Sequence, residues 1–231
     1  MAADMTDVSR RALLAGATGT AGALALPAFP VAAAAEPRVL TDAASYAVSK
    51  LRTVAPTVTA FPTGTKFEKW AFSQDGDWVG GFWAGALWLA WIYSGEENFQ
   101  SLAIASATKL APRQNDTSTH DLGFLFSPSW VTGWRLTGDD KWRAGALQAA
   151  SSLIQRYNPA GRFIRAWGAL GTSGNAGRAI MDTLMNLDLL SFASQQTGDP
   201  KYLDIAIAHA RTTQHNFVRP TGRLDSACLR F

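Results

Sequence analysis

The 231-residue chain has a single cysteine, Cys228, three histidines and only 17% charged residues. One thiol excludes an intrachain disulfide framework, and three histidines without a cysteine cluster leave little from which to build a zinc site. The formal charge is only +3 and no basic run is interleaved with aromatics, so nucleic acid is not the expected partner. Neither G-x-G-x-x-G nor G-x-x-x-x-G-K-[ST] occurs, which argues against a dinucleotide or phosphate loop. A hydrophobic share of 47% excludes disorder and fibrous architecture. Aromatics, by contrast, are abundant: nine Trp, twelve Phe and four Tyr. Tryptophan combines a flat apolar face with one N–H donor, which suits cores and sugar-binding clefts alike.

At the amino terminus, Ser9, Arg10 and Arg11 precede an uncharged stretch from Ala12 to Ala35, rich in Ala, Gly and Leu. This predicts a twin-arginine export signal over residues 1–36 with an A-x-A cleavage site, and hence a secreted or periplasmic protein. Pro27, Pro30 and several glycines make the stretch too weakly apolar for a stable membrane anchor. Its removal leaves 19 Lys+Arg against 15 Asp+Glu, a surplus compatible with an anionic small substrate. Residues 37–231 read as one domain.

Three segments share a small-Gly-acid turn with an aromatic three residues after the acid: Ser94-Gly95-Glu96 with Phe99, Thr137-Gly138-Asp139 with Trp142, and Thr197-Gly198-Asp199 with Tyr202. Apolar helical runs precede each turn (Phe82 to Tyr93, Phe124 to Leu136, Ile180 to Gln196), and Ala-rich amphipathic runs follow the second and third. The unit is helix, Gly turn, helix, repeated at unequal spacing, which predicts an all-α fold of α-hairpins. Asn158 to Phe163 and Arg219 to Leu224 are further turns that close the second helix of a unit. Gly168, Gly171, Gly174 and Gly177 mark the long connection after Phe163 as a flexible loop at the mouth of a site.

Counting back from the turn glycines places Trp78, Asp121 and Asp182 near the starts of the three first helices. Side-by-side hairpins bring these positions to one rim, where helix N-termini favour negative charge. An isolated Asp before a helix is most often an N-cap. Here Asp121 follows His120, and Asp182 follows Ala179-Ile180-Met181, a setting that would raise its pKa toward that of a general acid. Trp167, in the Gly-rich loop, fits sugar stacking; His209, on the core-facing step of its helix, reads as structural.

Four segments carry a resemblance: Asp77-Trp78-Val79-Gly80-Gly81-Phe82-Trp83-Ala84-Gly85, His120-Asp121-Leu122-Gly123-Phe124, Phe163-Ile164-Arg165-Ala166-Trp167-Gly168, and Ile180-Met181-Asp182-Thr183-Leu184-Met185-Asn186-Leu187. In this order and separation they resemble the unsaturated glucuronyl hydrolases, glycoside hydrolase family 88. The resemblance implies a six-hairpin α/α barrel and an exo-acting enzyme on unsaturated uronate oligosaccharides released by polysaccharide lyases, without metal or organic cofactor. It further implies hydration of the substrate's C4=C5 vinyl ether, with Asp182 as general acid and then base, Asp121 holding sugar hydroxyls, and His120 and Trp167 as substrate contacts; Trp78 joins them on the rim. The alternatives are a fragment that at most binds uronate sugars, or another α/α-barrel glycosidase or lyase. Two departures stand out. Gly80 occupies a position where the family pattern leads one to expect a polar residue. After Gly222 the resemblance stops, and a family histidine is missing near Ser226. The expectation is therefore an incomplete barrel of about three and a half hairpins with bare apolar flanks, aggregation-prone and of little activity when expressed alone.

Overall fold

The computed structural model describes residues 37–172, 174–222 and 228–230. The export signal expected at residues 1–36 and the position near Ser226 lie outside them. The chain is helical, with three small two-stranded antiparallel ribbons. Helix α1 (Pro37–Val54) leads into a hairpin of β1 (Phe61–Lys66) and β2 (Lys69–Ser73). Three hairpins follow. The first pairs α2 (Gly80–Ser94) with α3 (Glu97–Lys109). The second pairs α4 (Leu122–Phe126) and α5 (Thr132–Thr137), one rod interrupted at Ser127–Val131, with α6 (Asp140–Ile154). The third pairs α7 (Thr183–Thr197) with α8 (Pro200–Phe217). Between α6 and α7 lie β3 (Tyr157–Asn158), β4 (Phe163–Ile164) and β5 (Arg178–Ile180); β6 (Cys228–Arg230) returns to pair with β5. The first helices α2, α4–α5 and α7 pack successively against one another, with their partners behind them, as an incomplete α/α barrel. Among the described residues no helix is long and apolar enough to cross a membrane.

The repeated turn has one atomic design. Gly95, Gly138 and Gly198 each take the left-handed conformation (φ 75°, 69° and 72°) that ends a helix without strain in glycine. The hydroxyl before each, on Ser94, Thr137 and Thr197, donates to the carbonyl four residues back and accepts the N–H of the acid that follows. Asp139 and Asp199 then cap the next helix by accepting from the N–H groups of Lys141 and Lys201. Phe99, Trp142 and Tyr202, one turn later, are buried anchors of their hairpins.

The second hairpin departs from the uniform helix expected over Phe124 to Leu136. Pro128 has no N–H to donate, and the chain opens into a π turn at Ser127–Val131. Packing exploits the widened turn: Trp88 Nε1–H donates to Ser129 O and Trp130 Nε1–H to Ala107 O, while the Trp130 ring covers Gly145 and meets Trp142 edge-on. Much of the tryptophan is thus core, with Trp88, Trp130 and Trp142 all buried. Val39, Leu40 and Tyr46 of α1 and Leu203 and Ile207 of α8 remain exposed.

Two glycines set the separation of the first helices. A methyl group at Gly81 would overlap the backbone of Phe124 and Leu125, and one at Gly123 would overlap the backbone of Asn186. Neither obstacle is the end of a flexible side chain. Gly123→Ala should therefore cost about 3 kcal/mol or more in stability, the upper end of overpacking penalties. Gly64→Ala, where the new methyl meets nothing within 4 Å, should leave the melting temperature nearly unchanged. Thermal denaturation of the two variants checks the pair.

Candidate active site

The close crossings bring the starts of α4 and α7 together, and with them His120, Asp121 and Asp182, whose side-chain donor atoms lie within 4.8 Å of one another. Both aspartates occupy the N-cap position of their helices, yet neither side chain makes a cap hydrogen bond. The carboxylates are thus not spent on their helix ends; Asp182 is exposed and Asp121 mostly buried. In the first hairpin the N-cap is Val79, so the structural equivalence is one residue later than the count that selected Trp78. Trp78 nonetheless reaches the rim: half exposed, it packs on Phe124 at 5.8 Å, and Phe82 meets the same ring at 5.4 Å. Trp167 stands edge-on to His120 at 6.2 Å with 37% of its surface exposed. All five residues singled out in the sequence therefore belong to one neighbourhood.

The electrostatics separate the members. His120 is almost fully buried, and burial together with the nearby Arg156 cation lowers its pKa to about 4, so the imidazole is neutral at pH 7. Its Nδ1 is 2.9 Å from Thr183 Oγ1, and its Nε2 faces Asp121 Oδ1 at 3.4 Å. Beside an acceptor-only carboxylate the proton is assigned to Nε2, which leaves Nδ1 to accept from the threonine hydroxyl. Asp121 also accepts from the Thr119 hydroxyl; burial raises its pKa despite that bond, with Asp77 adding a smaller push. Asp182 is more exposed, but loss of hydration on its protein side, followed by repulsion from Asp121, raises its pKa to about 6. With both His120 nitrogens already engaged, the trio reads as an acid–base and hydrogen-bonding cluster, and we assign it no cation.

Residues that the sequence reading passed over hold the cluster in place. Arg156, buried to 1% exposure, donates from Nε to Arg165 O and from Nη1 to Gly168 O and Thr117 O. Arg165 donates to Trp167 O, Thr172 O and Thr172 Oγ1. The Gly-rich loop expected to be flexible is thus clamped at Trp167 to Thr172 by two arginines. Arg113 binds Asp77 O and pairs with Asp75 and Asp116, fixing the turn before α2, where Asp77 sits at φ 46°. Their signal was available: Arg156 and Arg165 interrupt apolar segments. Thr183 and Asn186 lie inside the Asp182 motif itself. His209 is fully buried and accepts the Ile164 N–H at Nδ1, a structural bond.

No family model matches the chain. It is 42% identical over 163 residues to the unsaturated chondroitin disaccharide hydrolase of Streptococcus pyogenes serotype M1, a match covering 69% of this chain and 41% of that protein. Its fold superimposes on the crystal structure of the unsaturated glucuronyl hydrolase from Bacillus sp. GL1, which acts in degradation of glycosaminoglycan, with TM-score 0.75 and 33% identity over 83% of this chain and 51% of that one. This chain is a relative of the unsaturated glucuronyl hydrolases. A mutant of the Streptococcus agalactiae unsaturated glucuronyl hydrolase complexed with dGlcA-GalNAc6S is also similar, with TM-score 0.64 and 27% identity over 82% of this chain and 50% of that one. The chain spans about two fifths of the curated hydrolase's length and about half that of the solved glucuronyl hydrolases.

The raised pKa of Asp182 has a consequence for stability. The folded state holds this proton more tightly than the unfolded chain, so stability falls as pH rises from the ordinary 3.8 through about 6 and stays reduced above. His120 and His209 act in the opposite direction: both are held neutral near a pKa of about 4, and the stability this gives above 6.5 is lost as pH falls toward 4. Asp182→Asn should raise the melting temperature at pH 7 and above, with the gain closing below about pH 4. Equal melting temperatures at pH 7 would show that the carboxyl is not perturbed.

Proposed function

We propose that this chain carries the acid–base centre of a hydrolase that removes the terminal unsaturated (Δ4,5) glucuronic acid from lyase-generated oligosaccharides. The observation that carries this reading is Asp182, an exposed carboxyl with pKa about 6 where the starts of α4 and α7 meet, beside a second carboxylate, a neutral histidine and exposed tryptophan faces. The kinship with glucuronyl hydrolases of 33 to 42% identity supports it.

In the proposed reaction protonated Asp182 delivers its proton to C4 of the vinyl ether, leaving positive charge on C5 that the ring oxygen shares. The Asp182 carboxylate then takes a proton from the water that attacks C5, which restores the acid form. The net step adds one water across C4=C5. The hemiketal so formed opens to a C5 ketone, and the C1 hemiacetal expels the aglycone as an alcohol. A group with pKa about 6 serves both steps because each protonation state is well populated near neutral pH. Asp121 accepts sugar hydroxyls, His120, whose Nε2–H faces Asp121, lines the same sugar site, and Trp78 and Trp167 offer apolar faces to the sugar rings. The alternative two-carboxylate chemistry at the anomeric carbon keeps the pair about 6.5–9.5 Å apart in inverting enzymes and about 5–5.5 Å apart in retaining ones; the Asp121 and Asp182 oxygens, within 4.8 Å, do not fit the inverting form, and loss of the alkene separates hydration from the retaining route. On this reading residues 1–36 export the folded enzyme to an extracytoplasmic substrate.

Incubation with unsaturated chondroitin disaccharide, followed by loss of the conjugated alkene absorbance, tests the proposal. Asp182→Asn should abolish turnover while leaving disaccharide affinity within about tenfold, or about 1.4 kcal/mol. A wild-type rate in that variant would overturn the acid assignment. Binding by the wild-type protein with no loss of absorbance would reduce it to a sugar-binding fragment.

A further inference from the structure

A helix start leaves N–H groups that its N-cap side chain normally satisfies, and an aspartate at that position turns its carboxylate back onto the third N–H. In α7 that donor is satisfied locally, since the Met185 N–H bonds to the Asp182 backbone carbonyl at 2.9 Å. In α4 the third N–H is that of Phe124, and its acceptor comes from another helix: Asn186 Oδ1, 62 residues away in the chain, at 2.8 Å. We propose that Asn186 is a positioning residue of the acid–base centre, capping α4 from α7 in place of Asp121 and so freeing the Asp121 carboxylate to face His120 and Asp182.

Three observations support the assignment. Asn186 is fully buried at the Gly123 crossing, where α4 and α7 are in backbone contact, so its amide has one fixed reach. Its Nδ2 is buried without a partner, a cost that an apolar side chain would avoid; the residue is explained by its acceptor and not by its donor. Thr183, one turn earlier in α7, meets His120 Nδ1 at 2.9 Å. The helix that carries Asp182 therefore orients both other members of the cluster, and the three groups are set by one rigid element. Asp121, relieved of capping, is left to Thr119 and His120.

The test has a structural arm that needs no substrate. In Asn186→Ala, a crystal structure should show the Asp121 carboxylate swung onto the Phe124 N–H, and side-chain carboxyl NMR should show its pKa lower by about one unit, as for a carboxylate that accepts backbone N–H bonds. An Asp121 that stays on Thr119 with an unchanged titration would overturn the proposal. Should Asn186→Ala fail to fold, Asp121→Ala decides: hydrogen-exchange protection of the Phe124 amide should persist, because Asp121 does not cap it, and loss of that protection would overturn the proposal.

The functional arm rests on the reading given above. In the Asp182→Asn background, Asn186→Ala and Asp121→Asn should each weaken disaccharide binding about tenfold, and the two together should weaken it no further. Additive losses would assign Asn186 a structural role independent of Asp121. If no variant, the Asp182→Asn parent included, binds disaccharide, the substrate reading fails and the structural arm still decides the capping.

Discussion

Everything at the acid–base centre depends on how closely three helices approach at their starts. Gly81 and Gly123 let α2 reach the Phe124–Leu125 backbone and α4 reach the Asn186 backbone, closer than any side chain would allow. At ordinary interhelical spacing His120 would lose Thr183, the Asn186 amide would not span to Phe124, and Asp182 would not feel the charge of Asp121. The glycines are contact points between rods, and further along Trp88 and Trp142 both pack against Gly133.

Close approach then becomes electrostatics. Burial alone would tend to neutralise every titratable group in the cluster. Arg156 provides a compensating positive charge: its pKa is lowered only to about 10 by burial and by Arg165, so it remains a cation beneath the site. That charge helps keep His120 unprotonated and favours ionised Asp121, whose own charge in turn helps keep the proton on Asp182. Desolvation is the largest influence on all three groups; Arg156 adds to it at His120 and, after Arg113, opposes it at Asp121. Its guanidinium does so while tied to the carbonyls of Thr117, Arg165 and Gly168, which fixes both the approach to His120 and the Trp167 loop.

Much of this was legible in the amino-acid sequence where the cause is local. The small-Gly-acid turns showed themselves because their hydroxyl, left-handed glycine and cap are all within four residues. The rim carboxylates followed from counting back along helices of nearly constant length. The count slipped by one in the first hairpin because Val79, not an acid, precedes that helix, and no side-chain pattern marked the start. The π turn was foreshadowed by Pro128 but not its use, since its partners Trp88 and Ala107 belong to another hairpin. The β1–β2 hairpin was missed because Phe61 to Ser73 lacks a regular apolar alternation: all but its first residue are exposed or half-buried. Asn186 was invisible for the most general reason. Its partner lies 62 residues away, and a lone Asn in an apolar helix carries no sign of what it caps.

The site also explains why so much of the tryptophan is structural. A raised Asp182, a buried Asn186 donor and a buried Arg156 Nη2 without a partner each oppose folding. Each unsatisfied buried donor costs on the order of 1–3 kcal/mol, against a total stability of roughly 5–15 kcal/mol for a domain. Such costs must be offset by the buried core. The aromatic contacts of Trp130 with Trp142 at 5.0 Å, Phe126 with Trp130 at 5.4 Å and Trp134 with Phe192 at 5.6 Å run along the same helices that carry the cluster. They bury aromatic area between the helices, which offsets the cost of holding groups in states that water would not choose. The aromatic excess that first pointed to a carbohydrate cleft therefore divides in two: a few exposed rings at the rim, and a larger buried set that makes the rim's chemistry tolerable.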